Sequence, residues 1–295
     1  MRNQAKIVQC FRKDVQVTLF DSMVAAFRAE DERGNDNAVH EVMQQIALAG
    51  LERGGFFKYA AFYGGTCLRL LHGMRRFSED MDFSLLKPDL NFNFEEFFPA
   101  IVEEFKLAGK DVEIKMKHKG QPSAIESAFL KESSDVFDIG FTTEKRLKVK
   151  IEVDIDPPPK FSTEIRCIDR PRSCAVRAYD LPGLYAGKVS AALFRKWRNR
   201  VKGRDWYDVM WYIQNRVELD LAHLMERAKE SEPTADVSTR EKLLAAFDAR
   251  IDSIDFENAK QDVLQYLKDP HEVDIWSREF FKEYIRRIII KGEQT

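Results

Sequence analysis

The sequence predicts an α+β protein: a mixed α/β half over residues 1–179, opened by helices, then an all-helical half over residues 180–295. Three observations carry this. Leu147 to Asp156 (L-K-V-K-I-E-V-D-I-D) alternates apolar and charged residues, the period of a strand. Tyr63 to Leu86 runs from an apolar segment through a glycine turn and a basic hinge to two aspartates one residue apart. From Asp180 onward apolar residues recur at helical spacing, and no alternation returns.

Taken in order, residues 12–32 become helical in spacing towards Phe27, and Asp31 to Asn37 reads as a polar turn. Val39, Met43, Ile46 and Leu51 mark a helix that Gly54-Gly55 stops. Phe56 to Tyr63 is short, aromatic and apolar, and reads as a strand. Phe94 to Leu107 is amphipathic and helical, whereas Val112, Ile114 and Met116 alternate with charges as a half-buried strand. Shorter strands are expected at Ala128-Phe129 and Val136 to Phe141. Pro157-Pro158-Pro159 ends the clearest strand, because proline donates nothing to a ladder. Asp180 can cap a helix that Pro182 tolerates in its first turn. Gly203 closes the basic segment that follows, and Asp205-Trp206-Tyr207-Asp208 opens another helix. Further helices are expected over 219–229, 239–251, 256–267 and 275–289.

Composition narrows the function. With 295 residues, 44% of them hydrophobic, the chain can bury a sizeable core, and two domains are the default. A net charge of −2 leaves no global field to attract nucleic acid, so any such affinity must be local. Cys10, Cys67, Cys167 and Cys174 show no metal-type spacing and read as reduced thiols of a cytoplasmic protein. No apolar run reaches the ~20 residues of a membrane span. The basic, polar N-terminus lacks the apolar stretch of a secretory signal.

The chemistry concentrates in Tyr63 to Leu86. Gly64-Gly65 lets the backbone approach a ligand, and a helix starting at Thr66 would turn free N–H groups toward a phosphate. In a strand, Asp80 and Asp82 share a face, with Met81 and Phe83 behind them. Two such oxygen donors can hold Mg²⁺. A third carboxylate is expected from the Leu147 to Asp156 strand, Glu152 first and Asp154 second. Glu152, Asp154 and Asp156 on one strand face would repel one another unless a cation or Lys148 and Lys150 relieve them. From Lys188 to Arg204 seven basic residues and no acid surround Trp197, which suits phosphate or RNA backbone contact.

These motifs resemble the AbiEii/AbiGii toxin family, a branch of the polymerase β-like nucleotidyltransferase superfamily. The matching stretches are G-G-T-C-L-R-L-L from Gly64, R-F-S-E-D-M-D-F from Arg76, K-I-E-V from Lys150, G-K-V-S-A-A from Gly187 and R-D-W-Y-D-V from Arg204. The resemblance implies a mixed β-sheet flanked by helices, then a helical C-terminal domain. It implies that Gly64, Gly65 and Thr66 hold a triphosphate, with Arg69, Ser78 and Arg204 as further nucleotide contacts. Asp80 and Asp82 would ligate Mg²⁺, with Mn²⁺ able to stand in, and Glu152, or in its place Asp154, would be the third carboxylate. Lys188 would contact phosphates or the acceptor, ordered by Asp205 or Asp208. Thr66 stands where the superfamily often has the serine of a Gly-Ser pair. The implied activity moves a nucleoside monophosphate from an NTP to an acceptor hydroxyl, such as the 3′ end of tRNA. The implied setting is a toxin–antitoxin or phage-abortive system with a cognate antitoxin. A protein acceptor, or a nucleotide-binding module without catalysis, are the alternative readings.

Overall fold

The computed structural model describes residues 17–30, 35–116, 134–142, 147–195 and 201–293. The expected strand at Ala128-Phe129, residues 31–34 of the polar turn, and Lys196 to Arg200 with Trp197 lie outside them.

Helix α1 (Leu19–Glu30) begins with a reciprocal cap: Asp21 N–H donates to Thr18 Oγ1, and Thr18 N–H donates to the Asp21 carboxylate. Helix α2 (Asn35–Arg53) is the long buried helix that the 39–51 spacing predicts. The expected strand from Phe56 is split. Phe56–Lys58 forms a 3₁₀ turn after left-handed Gly55, and only Ala60–Tyr63 forms β1. Helix α3 (Gly64–His72) follows with no intervening loop, so the helix starts at Gly64 and not at Thr66. Then come β2 (Met81–Leu85), α4 (Phe98–Leu107), β3 (Val112–Met116), β4 (Ser134–Phe141) and β5 (Lys148–Asp154). Two strands that the sequence reading passed over, β6 (Thr163–Ile168) and β7 (Cys174–Tyr179), complete a seven-stranded sheet.

The sheet order is β3-β4-β5-β2-β1-β7-β6. It is mixed: β2 runs antiparallel to β1 and parallel to β5, while β1 runs parallel to β7. One turn of phenylalanines, Phe56, Phe83, Phe94 and Phe97, packs edge-to-face on it; Phe56 lies 5.2 Å from Phe83 and 5.1 Å from Phe97 between ring centres.

The last sheet strand ends at Tyr179, and α5 (Leu181–Phe194) starts two residues later, capped by Asp180 with Pro182 in its first turn. Helices α6 (Gly203–Gln214), α7 (Leu221–Ser231), α8 (Arg240–Asp252), α9 (Phe256–Leu264) and α10 (Arg278–Tyr284) follow. Asp220, Thr239, Asp255 and Ser277 each accept a hydrogen bond from their helix's first turn. Two details correct the sequence reading. Gly203 opens α6 and does not close the preceding segment, and it packs so tightly on α9 that a Cβ there would lie 1.8 Å from the Ala259 carbonyl oxygen. The helical half also holds a short parallel pair, β8 (Glu218–Leu219) and β9 (Ile289–Ile290). The apolar core runs unbroken from the sheet into this half. Among the described residues no helix is long and apolar enough to cross a membrane.

Candidate active site

The site lies where β1 hands over to α3 beside the β2–β5 pair. Gly64 has φ +82°, and a Cβ there would sit 2.2 Å from Asp82 Oδ2. Only glycine lets the elbow close onto that carboxylate. A Cβ on Gly65 would meet Arg76 Nη2 at 2.7 Å and Ser78 Oγ at 2.9 Å, so the second glycine admits the basic hinge. No side chain caps the start of α3, and its first-turn N–H groups keep the anion preference of a helix N-terminus.

Asp82, Glu152 and Asp154 lie on the neighbouring strands, whereas Asp80, expected on one strand face with Asp82, stands one residue before β2 begins. The β2–β5 register sets Asp82 directly beside Glu152 and Ser84 beside Asp154. Paired positions on neighbouring strands share a face, so Glu152 is the nearer partner of Asp82. Asp154 is buried at 4% exposure, and its Oδ1 accepts from Asp156 N–H as the strand turns. Met81 and Phe83, both at 0%, lie on the opposite face, in the core. Burial, then the charges of Glu152 and Asp80, push the Asp82 carboxyl up to about 6 against the opposing pull of Lys188 and Lys150. Lys150 Nζ lies 2.9 Å from Glu152 Oε2 and pairs with it.

Among the described residues no three acidic, histidine or cysteine side chains close on a single point as a ready-made metal shell. The donor set nonetheless fits a hard divalent cation: carboxylate oxygens only, one of them raised toward protonation by its acidic neighbours. A cation would relieve that repulsion.

Beside the acids lies a chain of paired charges. Arg76, 2% exposed, donates from Nε and Nη2 to the two oxygens of Asp208, each at 2.6 Å, and from Nη1 to the Phe77 carbonyl. Lys188 Nζ lies 2.9 Å from Asp208 Oδ2 and 3.2 Å from Asp205 Oδ1. Arg195 adds a contact to Asp205 at 3.4 Å. Burial would raise the Asp205 carboxyl, but Lys188, Arg195 and Lys202 overcome it and hold it well below the usual carboxylate range. Asp208 is lowered in the same way by Arg76 and Lys188. Asp205 and Asp208 therefore stay ionised and fix Lys188, whose charge reaches Asp82. Arg76 is thus more than part of a basic hinge: Asp208, buried at 0% on the inward face of α6, requires a cation, and Arg76 supplies it.

Four other expected nucleotide contacts stand as follows. Thr66 is fully buried, and its hydroxyl donates to the Asp80 carbonyl, so its one hydrogen holds the start of β2. Arg69 pairs with Glu41 and donates to the Arg75 carbonyl at 2.8 Å; its guanidinium braces the hinge and does not join the acids. Arg204 stacks 4.2 Å over Tyr266 and lies 3.7 Å from Glu79, whose other neighbour is the Tyr266 hydroxyl. Ser78 is buried behind Gly65, and Gln44 holds its carbonyl.

Compared with known proteins, the chain matches over residues 46–284 the model of the family described as nucleotidyl transferase AbiEii toxin, type IV TA system. Comparison with curated proteins gives no match. Among solved structures the chain is similar to MenT4, a nucleotidyltransferase toxin from Mycobacterium tuberculosis H37Rv. Identity is 16%, coverage 91% of this chain and 98% of that one, and the TM-score 0.50. It is also similar to JHP933 from Helicobacter pylori, at 17% identity, 85% and 89% coverage and a TM-score of 0.49. The MenT4 likeness speaks to the fold: a mixed sheet with helices about it and a helical region after it.

Proposed function

We propose that this chain, which belongs to the AbiEii family of nucleotidyl transferase toxins of type IV toxin–antitoxin systems, moves a nucleoside monophosphate from an NTP to the 3′ end of tRNA. Membership makes it a nucleotidyltransferase; the tRNA acceptor, the use of Mg²⁺ and a cognate antitoxin as partner are our reading. The observation that carries it is the register that sets Glu152 beside Asp82 while Gly64 presses on the same carboxylate.

Asp80, Asp82 and Glu152 would hold the divalent cation, which when bound neutralises phosphate charge and lowers the pKa of the acceptor hydroxyl. The N–H groups at Gly64 and Gly65 face the phosphates from the start of α3. Lys188, held by Asp205 and Asp208, supplies a fixed positive charge for the departing pyrophosphate. The acceptor oxygen forms its bond to the α-phosphorus as the bond to the β-phosphate oxygen breaks. The protein's task is to position these groups and to keep the charges in place beforehand. The seven basic residues between Lys188 and Arg204 exceed the acids that Lys188, Arg195 and Arg204 meet, and this local excess supports a polyanionic acceptor.

The test is incubation with Mg²⁺, each labelled NTP in turn, and total tRNA together with total protein. Label on tRNA from the wild type, and none from Asp80→Ala of unchanged melting temperature, is the expected result. Label on protein alone, or equal labelling by Asp80→Ala, contradicts the reading.

A further inference from the structure

One buried arginine nitrogen near the site makes no hydrogen bond. Arg227 lies on α7, and its guanidinium rests over Gly187: a Cβ on that glycine would be 3.8 Å from Arg227 Nε and 3.9 Å from Cζ. Arg227 Nε is buried without a hydrogen-bond partner. Among the described residues no oxygen accepts from Arg227 Nε, whereas Arg76, Arg172 and Arg240 each spend donors on acids or backbone oxygens. His223, four residues earlier on the same helical face, is also buried with its Nε2 unpartnered, while Nδ1 meets the Pro159 carbonyl at 3.2 Å. Burial and then the Arg227 charge push His223 down to about 4, so it is neutral and offers Arg227 no competing cation.

The surroundings place this arginine by the transfer site. Its charge acts on Tyr63, which also feels Asp82, Asp154 and Glu152. Tyr63 is the N-cap residue of α3, one position before the glycine elbow. Its ring stacks on Tyr179 at 5.4 Å, and Tyr179 stacks on Phe161 at 4.4 Å, which makes a rigid aromatic wall. Gly187, under the guanidinium, immediately precedes Lys188. Arg227 therefore lies against the residue that precedes Lys188, and its charge is felt at the residue that precedes the glycine elbow. A planar guanidinium with a donor left unpaired suits a phosphate oxygen better than any neutral group.

We propose that Arg227 is a phosphate-contacting residue of the transfer site and holds the triphosphate of the incoming nucleotide together with Lys188. The proposal rests on the nucleotidyltransferase reading above. The test measures binding of each NTP with Mn²⁺, without acceptor, by titration calorimetry on the full chain. Steady-state KM for NTP and for tRNA is measured in parallel.

A charge-assisted contact of this kind predicts that Arg227→Ala raises the Kd and KM for NTP by about tenfold to a hundredfold. Arg227→Lys should recover part of the loss, with KM for tRNA and the melting temperature unchanged. Should Arg227→Ala prove unstable, Arg227→Gln, which keeps the stem, is held to the same thresholds. Unchanged NTP affinity in a variant whose wild-type parent binds and transfers would overturn the proposal and leave the function standing. A rise confined to the KM for tRNA would overturn it too, by assigning the arginine to the acceptor. A wild type that binds no NTP would sink both.

Discussion

Two charged regions meet around Lys188 and are built on opposite principles. Arg76, Asp208, Lys188 and Asp205 form a closed account: every buried charge has a partner, and both aspartates are held below the usual carboxylate range. Asp80, Asp82 and Glu152 form an open one, in which like charges are brought together and Asp82 is driven up to about 6. The first arrangement stabilises the fold and aims a lysine. The second is costly in the free protein and is repaired by whatever cation binds. The contrast separates residues whose loss should unfold the protein from residues whose loss should only silence it.

The largest expected effect tests the closed region. Asp208→Ala leaves Arg76 buried without its bidentate partner, and breaking such a pair costs about 3–5 kcal/mol. Urea unfolding should show a fall of that size in the midpoint-derived stability. A loss under about 1 kcal/mol, the range of an exposed pair, would mean the network is not structural.

Gly64→Ala joins the two regions at their seam. A non-glycine residue at φ +82°, with a Cβ 2.2 Å from the Asp82 carboxylate, should destabilise by about 1–3 kcal/mol and displace that carboxylate. Nucleotide transfer should therefore fall by more than the loss of folded protein explains, with circular-dichroism melting supplying the correction. Transfer that tracks folded protein alone would detach Asp82 from the elbow.

Much of this was legible in the chain, and the exceptions have physical causes. The Leu147 to Asp156 alternation could be read because one face of β5 is core and the other is not. Asp-x-Asp after a glycine turn could be read because chemistry demands that order. The strands β6 and β7 were not read from the chain: β6 is an edge strand whose Ile165 is 56% exposed, and β7 (C-A-V-R-A-Y) carries a single charge, so neither shows the sustained apolar–charged alternation of β5. The choice between Glu152 and Asp154 as nearest neighbour of Asp82 is a matter of register, which no single strand's sequence contains. Thr66 and Arg69 lie inside the motifs, yet their side chains turn to the Asp80 carbonyl and to Glu41, because a short helix packed on a sheet has only one face open to a ligand. Arg76 could have been found by asking what neutralises an aspartate on the buried face of α6.

The open region yields the sharpest test. Because the folded Asp82 carboxyl lies above the ordinary value of 3.8, the folded state holds its proton more tightly than the unfolded chain does. Its contribution is therefore unfavourable once ionised, and grows more so as pH rises from about 4 to about 6. The measurement is the melting temperature of wild type and Asp82→Asn across that window and at pH 8, with chelator and with Mn²⁺. The acids' repulsion predicts that in chelator Asp82→Asn gains on wild type as pH rises, and that Mn²⁺ at pH 8 raises the wild type alone. An Asp82→Asn protein less stable than wild type at pH 8 in chelator, or one that Mn²⁺ stabilises equally, would contradict it.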